Sequence, residues 1–219
     1  MLFLGIQFVI WSLSGAYMVI VNIDYIHGDN LINNHQTHIN PEHIRYSLKD
    51  LQRAYPNAEQ LELGIFITDE VYRFKQDGQA FMLDAANGAL LSPINQAAAI
   101  AAAKHEYTGN GAMTGIELIT DKPPAELAPR YLPAWRVNFD DFASPALYIS
   151  AQTGQVVTQR HEFWRMFDLM FSLHIMDYET QDLSNWLLFW FSIFSLLAAI
   201  LGLILTYFRV VKSKMEANI

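Results

Sequence analysis

Residues 71–88 read VYRFKQDGQAFMLDAANG, and residues 134–154 read AWRVNFDDFASPALYISAQTG. The two stretches align. Val71-Tyr72-Arg73-Phe74 matches Ala134-Trp135-Arg136-Val137, and Asp84-Ala85-Ala86-Asn87-Gly88 matches Ser150-Ala151-Gln152-Thr153-Gly154. Each alternates apolar and polar residues as a half-buried strand does, breaks at an Asp-rich turn and resumes as a second strand. Each closes on a glycine, which supplies the positive φ of a tight turn. The chain therefore carries a duplicated hairpin.

Upstream of each hairpin the pattern predicts one more strand, at 60–68 and 114–120, and before that a helix. In the first copy Asn40 is an N-cap followed by Pro41 at the first helical position. Ile44, Leu48, Leu51 and Tyr55 follow at helical spacing, and Tyr55-Pro56-Asn57 stops the helix. In the second copy Asn95 caps a helix running through the alanines of 97–103. Each unit is thus helix, strand, hairpin, an α+β module with one helix on a small antiparallel sheet. Units of about 50 residues bury little core alone, so the two are expected to pack on each other.

The ends of the chain differ in kind. Residues 186–208 read WLLFWFSIFSLLAAILGLILTYF and carry no charge. At 1.5 Å per residue such a helix is about 34 Å long, enough to cross a bilayer's hydrocarbon core. Ser192, Ser195 and Thr206 can bond back to their own helix. Trp186, Trp190 and Tyr207 mark its interfaces, and Arg209, Lys212 and Lys214 form a basic tail that reads as cytoplasmic. Residues 1–23 also carry no charge. No basic n-region precedes this run, and it is too long for the core of a signal peptide, so a retained membrane helix is expected. The missing basic flank leaves open a start upstream of Met1. Small residues line one face of each run (Gly5, Ser12 and Ala16; Ser195, Ala199, Gly202 and Thr206), which predicts close helix packing.

Residues 24–182 hold 11 basic and 21 acidic residues, and residues 183–219 hold three basic and one acidic. An acidic domain beside a basic tail fits both termini inside and the domain outside the cytoplasm, and it argues against nucleic acid as partner. There is no cysteine, which excludes disulfides, thiol catalysis and zinc–thiolate sites. The expected organisation is a transmembrane helix at 1–23, modules at 24–93 and 94–160, an interfacial helix at 161–182, a second transmembrane helix at 183–208 and a tail at 209–219.

The helix, the strand and the VYRF…DG…FMLDAANG and AWRVNFDD…LYISAQTG blocks resemble PepSY modules. With flanking membrane helices the whole chain is similar to the PepSY-associated transmembrane proteins, often labelled iron-regulated membrane proteins. Asn87 stands where the family's turn usually has Thr, and Ser150 where it usually has Asp. The resemblance implies tandem PepSY modules in the periplasm of a bacterial inner-membrane protein. PepSY modules also occur in the propeptides of thermolysin-like proteases, which implies a peptide-binding, peptidase-related role. Larger PepSY-associated proteins with four helices hold haem between membrane histidines, which implies a second role, in haem-linked electron transfer or ferric-siderophore reduction.

In residues 161–178, HEFWRMFDLMFSLHIMDY, His161, Arg165, Asp168 and Ser172 share one face, and Arg165 is spaced to pair with Asp168. The rest is apolar, so the segment is expected to lie in the membrane–water interface. His174 projects opposite that stripe, with Asp177 three residues on. A neutral imidazole held by a carboxylate keeps one nitrogen for a metal, a haem iron or a proton. His27, just past the first run, lies at the same expected membrane level. His174 and His27 are therefore the candidate cofactor ligands, against the plainer reading of an anchoring His and a solvated loop His. His35, His38 and His43 lack an acidic or thiol partner in a metal-binding pattern. No G-x-S-x-G, H-E-x-x-H, Walker or dinucleotide motif occurs. The expectation is an accessory binding protein that is not an enzyme by itself and has no resident cofactor. The partners expected are membrane lipid, a protein in the membrane or periplasm, and a second copy of the chain.

Overall fold

A computed structural model of the chain describes residues 2–33, 38–176 and 186–212. Contacts divide it into two compact units, Val21–Met166 and Met1–Ile20 with Phe167–Ile219. The first is α+β, built on two antiparallel sheets. Strands β1 (Glu59–Phe66), β2 (Asp69–Gln76) and β3 (Gln79–Asp84) form one in that order. Strands β4 (Ala112–Ile119), β5 (Ala134–Asp140), β6 (Ala146–Ser150) and β7 (Val156–Arg160) form the other. Residues 155–160 carried no strand expectation. Their β-branched Val156, Val157 and Thr158 pair back onto β6 after the turn at Gly154.

The aligned hairpins keep the same register. Val71 faces Asp84 and Arg73 faces Met82, while Ala134 faces Ser150 and Arg136 faces Tyr148. The turns that follow are built alike from different residues. The Asp84 carboxylate accepts from Ala86 N at 2.6 Å, and the Ser150 hydroxyl accepts from Gln152 N and Thr153 N at 3.2 Å. Gly88 and Gly154 both sit at positive φ and donate back to the carbonyls of Asp84 and Ser150.

Helix α3 (Leu48–Ala54) and helix α4 (Gln96–Glu106) each cover the same face of their own sheet. Leu51 of α3 packs with Tyr72, Phe74 and Leu83. Ala99, Ala102 and Ala103 of α4 pack with Val137, Leu147 and Ile149. That second core also takes in Val71 and Met82, from the opposite face of the first sheet. The back of sheet one therefore receives module two, and the back of sheet two, at Ala134, Ala146 and Tyr148, is covered by Leu127, Tyr131 and Leu132. Asn95 caps α4 as expected, its side chain accepting from Ala98 N at 2.9 Å. The first helix does not begin at Asn40-Pro41. Pro41–His43 is a single 3-10 turn, and α3 starts after Ser47, which accepts from Asp50 N. Between them Arg45 N and Tyr46 N donate to the Ala85 carbonyl, which holds the chain out of helix.

In the other unit, helix α6 (Trp186–Thr206) belongs to an apolar stretch, Leu188–Arg209, long enough to cross a membrane. Helix α1 (Leu2–Ile20) is apolar too, over a shorter described stretch, Gly5–Ile20. Of the small residues on the two faces, Gly5 and Gly202 make no close approach: a Cβ at either would have nothing within 4 Å. They meet edge to face, Trp11 on Phe191, with centroids 5.3 Å apart. Helix α1 buries its Gln7 and Ser14 face instead.

Candidate functional site

The chain from β4 to the first turn of α5 (Glu162–Ile175) builds one polar cleft of about 740 Å³ on the back of sheet two. Arg136 projects into it from β5, Glu117 from β4, and Glu162 and Arg165 from α5. A bulge in β4 between Met113 and Gly115 breaks the pairing at its rim.

Glu126 organises this region. Its side chain is 8% exposed and faces three donors. Arg165 closes a two-pronged pair on it, Nε to Oε2 at 2.8 Å and Nη2 to Oε1 at 3.1 Å, and the Tyr148 hydroxyl donates to Oε1. Burial alone would raise the Glu126 carboxyl, but the hydrogen bonds from Arg165 and Tyr148 and the two guanidinium charges outweigh it and hold the pKa below the usual carboxylate range. Burial pushes the Tyr148 hydroxyl up, and Glu126 adds to the shift. Arg165 does not pair with Asp168 as its spacing predicted. It pairs with Glu126 and, through Nη1, with Glu162 at 2.8 Å.

Arg136 is held differently. Its Nη atoms lie 3.5 Å from Glu117 and 3.8 Å from Glu126, long for hydrogen bonds, and its buried Nε has no acceptor among the described residues. The guanidinium stands 5.9 Å from the centre of the Tyr148 ring. Its counterpart Arg73 has two of its three nitrogens in short hydrogen bonds, and its Nη1 lies 3.7 Å from Glu62. Arg73 Nε donates to Thr153 O and Nη2 to Ile65 O, both at 2.8 Å. Burial lowers the Arg73 pKa, and Glu62 opposes that effect.

His161 precedes α5 and does not join an exposed polar stripe. It is 1% exposed; its Nε2 donates to Tyr25 O at 2.7 Å, and its Nδ1 accepts from Phe163 N at 3.2 Å. Both nitrogens are used only by the neutral ring. Burial pushes its pKa below the ordinary value, against the pull of the Tyr25 carbonyl.

Of the sequence-predicted ligands, His174 lies in the unit of α1 and α6, half-buried against α1. The Ser14 hydroxyl, 1% exposed as a residue, lies 2.8 Å from Ile10 O and 2.9 Å from His174 Nδ1. With its proton on Ile10, Ser14 accepts from Nδ1–H, which leaves the lone pair on His174 Nε2. Trp11 Nε1 donates to the His174 carbonyl at 2.7 Å, and a Cβ at Gly15 would meet the ring at 3.4 Å. The expected partner Asp177 lies outside the described residues, as does His35. His27 ends the short helix α2 (Ile23–His27), exposed, in the other unit. His38 is exposed; His43 Nδ1 sits 3.1 Å from Glu70, whose carboxyl is held low first by Asn40 N–H. Among the described residues no cluster of three His, Cys, Asp or Glu side chains is placed to hold a metal.

Sequence reasoning placed Arg136 in the repeat but not in a cleft, and gave Glu126 no role. Asp141 follows β5 in the hairpin connection. It also clamps a distant loop, accepting from the Tyr107 hydroxyl at 2.8 Å and from Asn110 N and Gly111 N. No family model, no curated protein and no solved structure matches the chain.

Proposed function

We propose that this chain is a membrane-anchored accessory protein of the PepSY type whose α+β unit, on the outer side of a bacterial inner membrane, binds a peptide or partner protein. The role is regulatory, tied to peptidase activity or iron uptake. The helices α1 and α6 anchor it with both termini inside, on the charge asymmetry of the chain. The observation that carries the binding reading is the open edge of sheet two. Strand β4 pairs with β5 on one side only, and the charged cleft lies beside it. A free strand edge takes an extended peptide by main-chain hydrogen bonds, and neighbouring side chains select it. The test is photo-crosslinking from position Leu118 on β4 in membranes, alongside assays of extracytoplasmic peptidases with the purified protein. Crosslinks to a peptide or partner and a changed peptidase rate are expected. The absence of both rejects the reading.

One observation favours a second reading. In the tautomer that donates Nδ1–H to Ser14, His174 Nε2 keeps the lone pair that ligates a haem iron in a redox assembly. His174 is the only histidine in residues 1–20 and 167–219, so a second imidazole from that helical part must come from another chain. A Soret band that disappears in His174→Ala supports this reading, and a purified complex without haem absorbance removes it.

A further inference from the structure

The two repeats supply their own internal comparison. Arg73 and Arg136 occupy the same place in the two repeats, each on the second strand, each beside a cross-strand glutamate at 3.7 and 3.5 Å. Arg73 looks toward module two and takes the main-chain carbonyl of Thr153, in that module's 150–154 turn. The turn seats closely there, since a Cβ at Gly154 would lie 2.5 Å from the Phe66 ring. Arg136 presents the same group on the equivalent face of sheet two, where Leu127, Tyr131 and Leu132 cover Ala134, Ala146 and Tyr148 and leave the cleft open beside Arg136. Its Nη donors meet carboxylates only at long range, and the cleft in front of it is about 740 Å³, room for a few residues of polypeptide.

We propose that the Arg136 cleft is a docking site for a basic peptide segment. Arg136 takes a main-chain oxygen of the segment, as Arg73 takes that of Thr153, and Glu117 and Glu162 take its basic side chain. The charge argues for a cation. Arg165 is shared between the buried Glu126 and Glu162, the side chains of Glu117 and Glu162 are 59% and 61% exposed, and Asp140 is exposed in the same lining, so the carboxylates around the cleft outnumber its guanidiniums. A planar guanidinium with unspent donors favours a peptide oxygen. This inference rests on the reading of the α+β unit as peptide-binding and names the site and the class of peptide.

The experiment uses the detergent-solubilised full chain and three synthetic five-residue peptides, blocked at both ends. One is the protein's own turn, residues 150–154; the others carry Gln152→Lys or Gln152→Glu. Binding is read by NMR line shifts of the peptide. The Gln152→Lys peptide is expected to bind about tenfold or more tightly than the Gln152→Glu peptide, with the native turn between them. Arg136→Met is expected to lower binding of the Gln152→Lys peptide by about tenfold, and Arg136→Lys, which keeps the charge without the fork, by less. Equal binding of the three peptides, binding of none, or unchanged binding to a folded Arg136→Met protein overturns the proposal. The peptide ranking is measured on the unmodified protein, so a misfolded variant does not spoil it. If the ranking fails while Leu118 still crosslinks a partner, the cleft is not the site and the broader reading survives. If the ranking holds without such crosslinks, the cleft binds peptides but the strand edge does not.

Discussion

At the scale of single residues the polar groups that matter here are committed by long-range geometry. Glu126 has its donors on β6 and α5, 22 and 39 residues away, so no spacing rule reveals it. Glu126→Ala would leave Arg165 and Tyr148 without their acceptor. We expect it to cost about 3 kcal/mol of stability in denaturant unfolding, more than Tyr148→Phe at about 1 kcal/mol. His161 makes the second prediction. Its pKa is lowered by burial, so the unfolded chain takes up the proton first. The stability supplied by the neutral ring is whole above pH 6.5 and is lost as pH falls through the lower folded value. The solubilised protein should therefore unfold more easily on heating as pH falls below 6.5, before the loss from protonating Glu126 sets in below 4.5. His161→Gln should flatten that first step; an unchanged pH profile in the variant would refute the assignment. The sequence placed His161 on a helical stripe because it shares the spacing of Arg165 and Asp168. Burial under Tyr25 is a tertiary fact that spacing does not carry.

At the scale of elements the repeat was the legible part. The hairpins, the strand before each, the Asn95 cap and the Gly88 and Gly154 turns all follow from alternation and turn chemistry. The first helix was misplaced because a good local cap at Asn40 lost to two hydrogen bonds onto the Ala85 carbonyl. Gly5 and Gly202, on the small-residue faces of α1 and α6, make no close approach for a related reason. Spacing marks where helices are able to approach, while Trp11, Phe191 and His174 decide where they do. The turns give a graded test. Gly78 has φ +79° with open space where a Cβ would stand, whereas Gly154 has φ +68° with the Phe66 ring at 2.5 Å. Gly78→Ala is expected to cost about 1 kcal/mol from backbone strain alone. Gly154→Ala is expected to cost more than about 2 kcal/mol, because the ring must also move. Similar losses for the two in urea unfolding would contradict the close seating of module two on sheet one.

At the scale of the molecule the α+β unit has one principal core drawn from both repeats. Val71 and Met82 of sheet one share it with Leu147 and Ile149 of sheet two, all buried. Met82→Ala and Leu147→Ala should each cost about 2–4 kcal/mol and should lower protection across both sheets together in hydrogen-exchange mass spectrometry. Loss confined to the mutated sheet would show two independent folding units. The sequence indicated that modules of this size need each other, but not that one helix, α4, would sit in the core they share. That arrangement constrains the protein's descent. A duplicated module is ordinarily free to be lost, copied again or exchanged with a relative's. Here the first copy has given its back face to the second, so neither half is a heritable unit on its own. Recombination within residues 55–160 would separate partners that no longer have alternatives, and this stretch should pass between lineages whole or not at all.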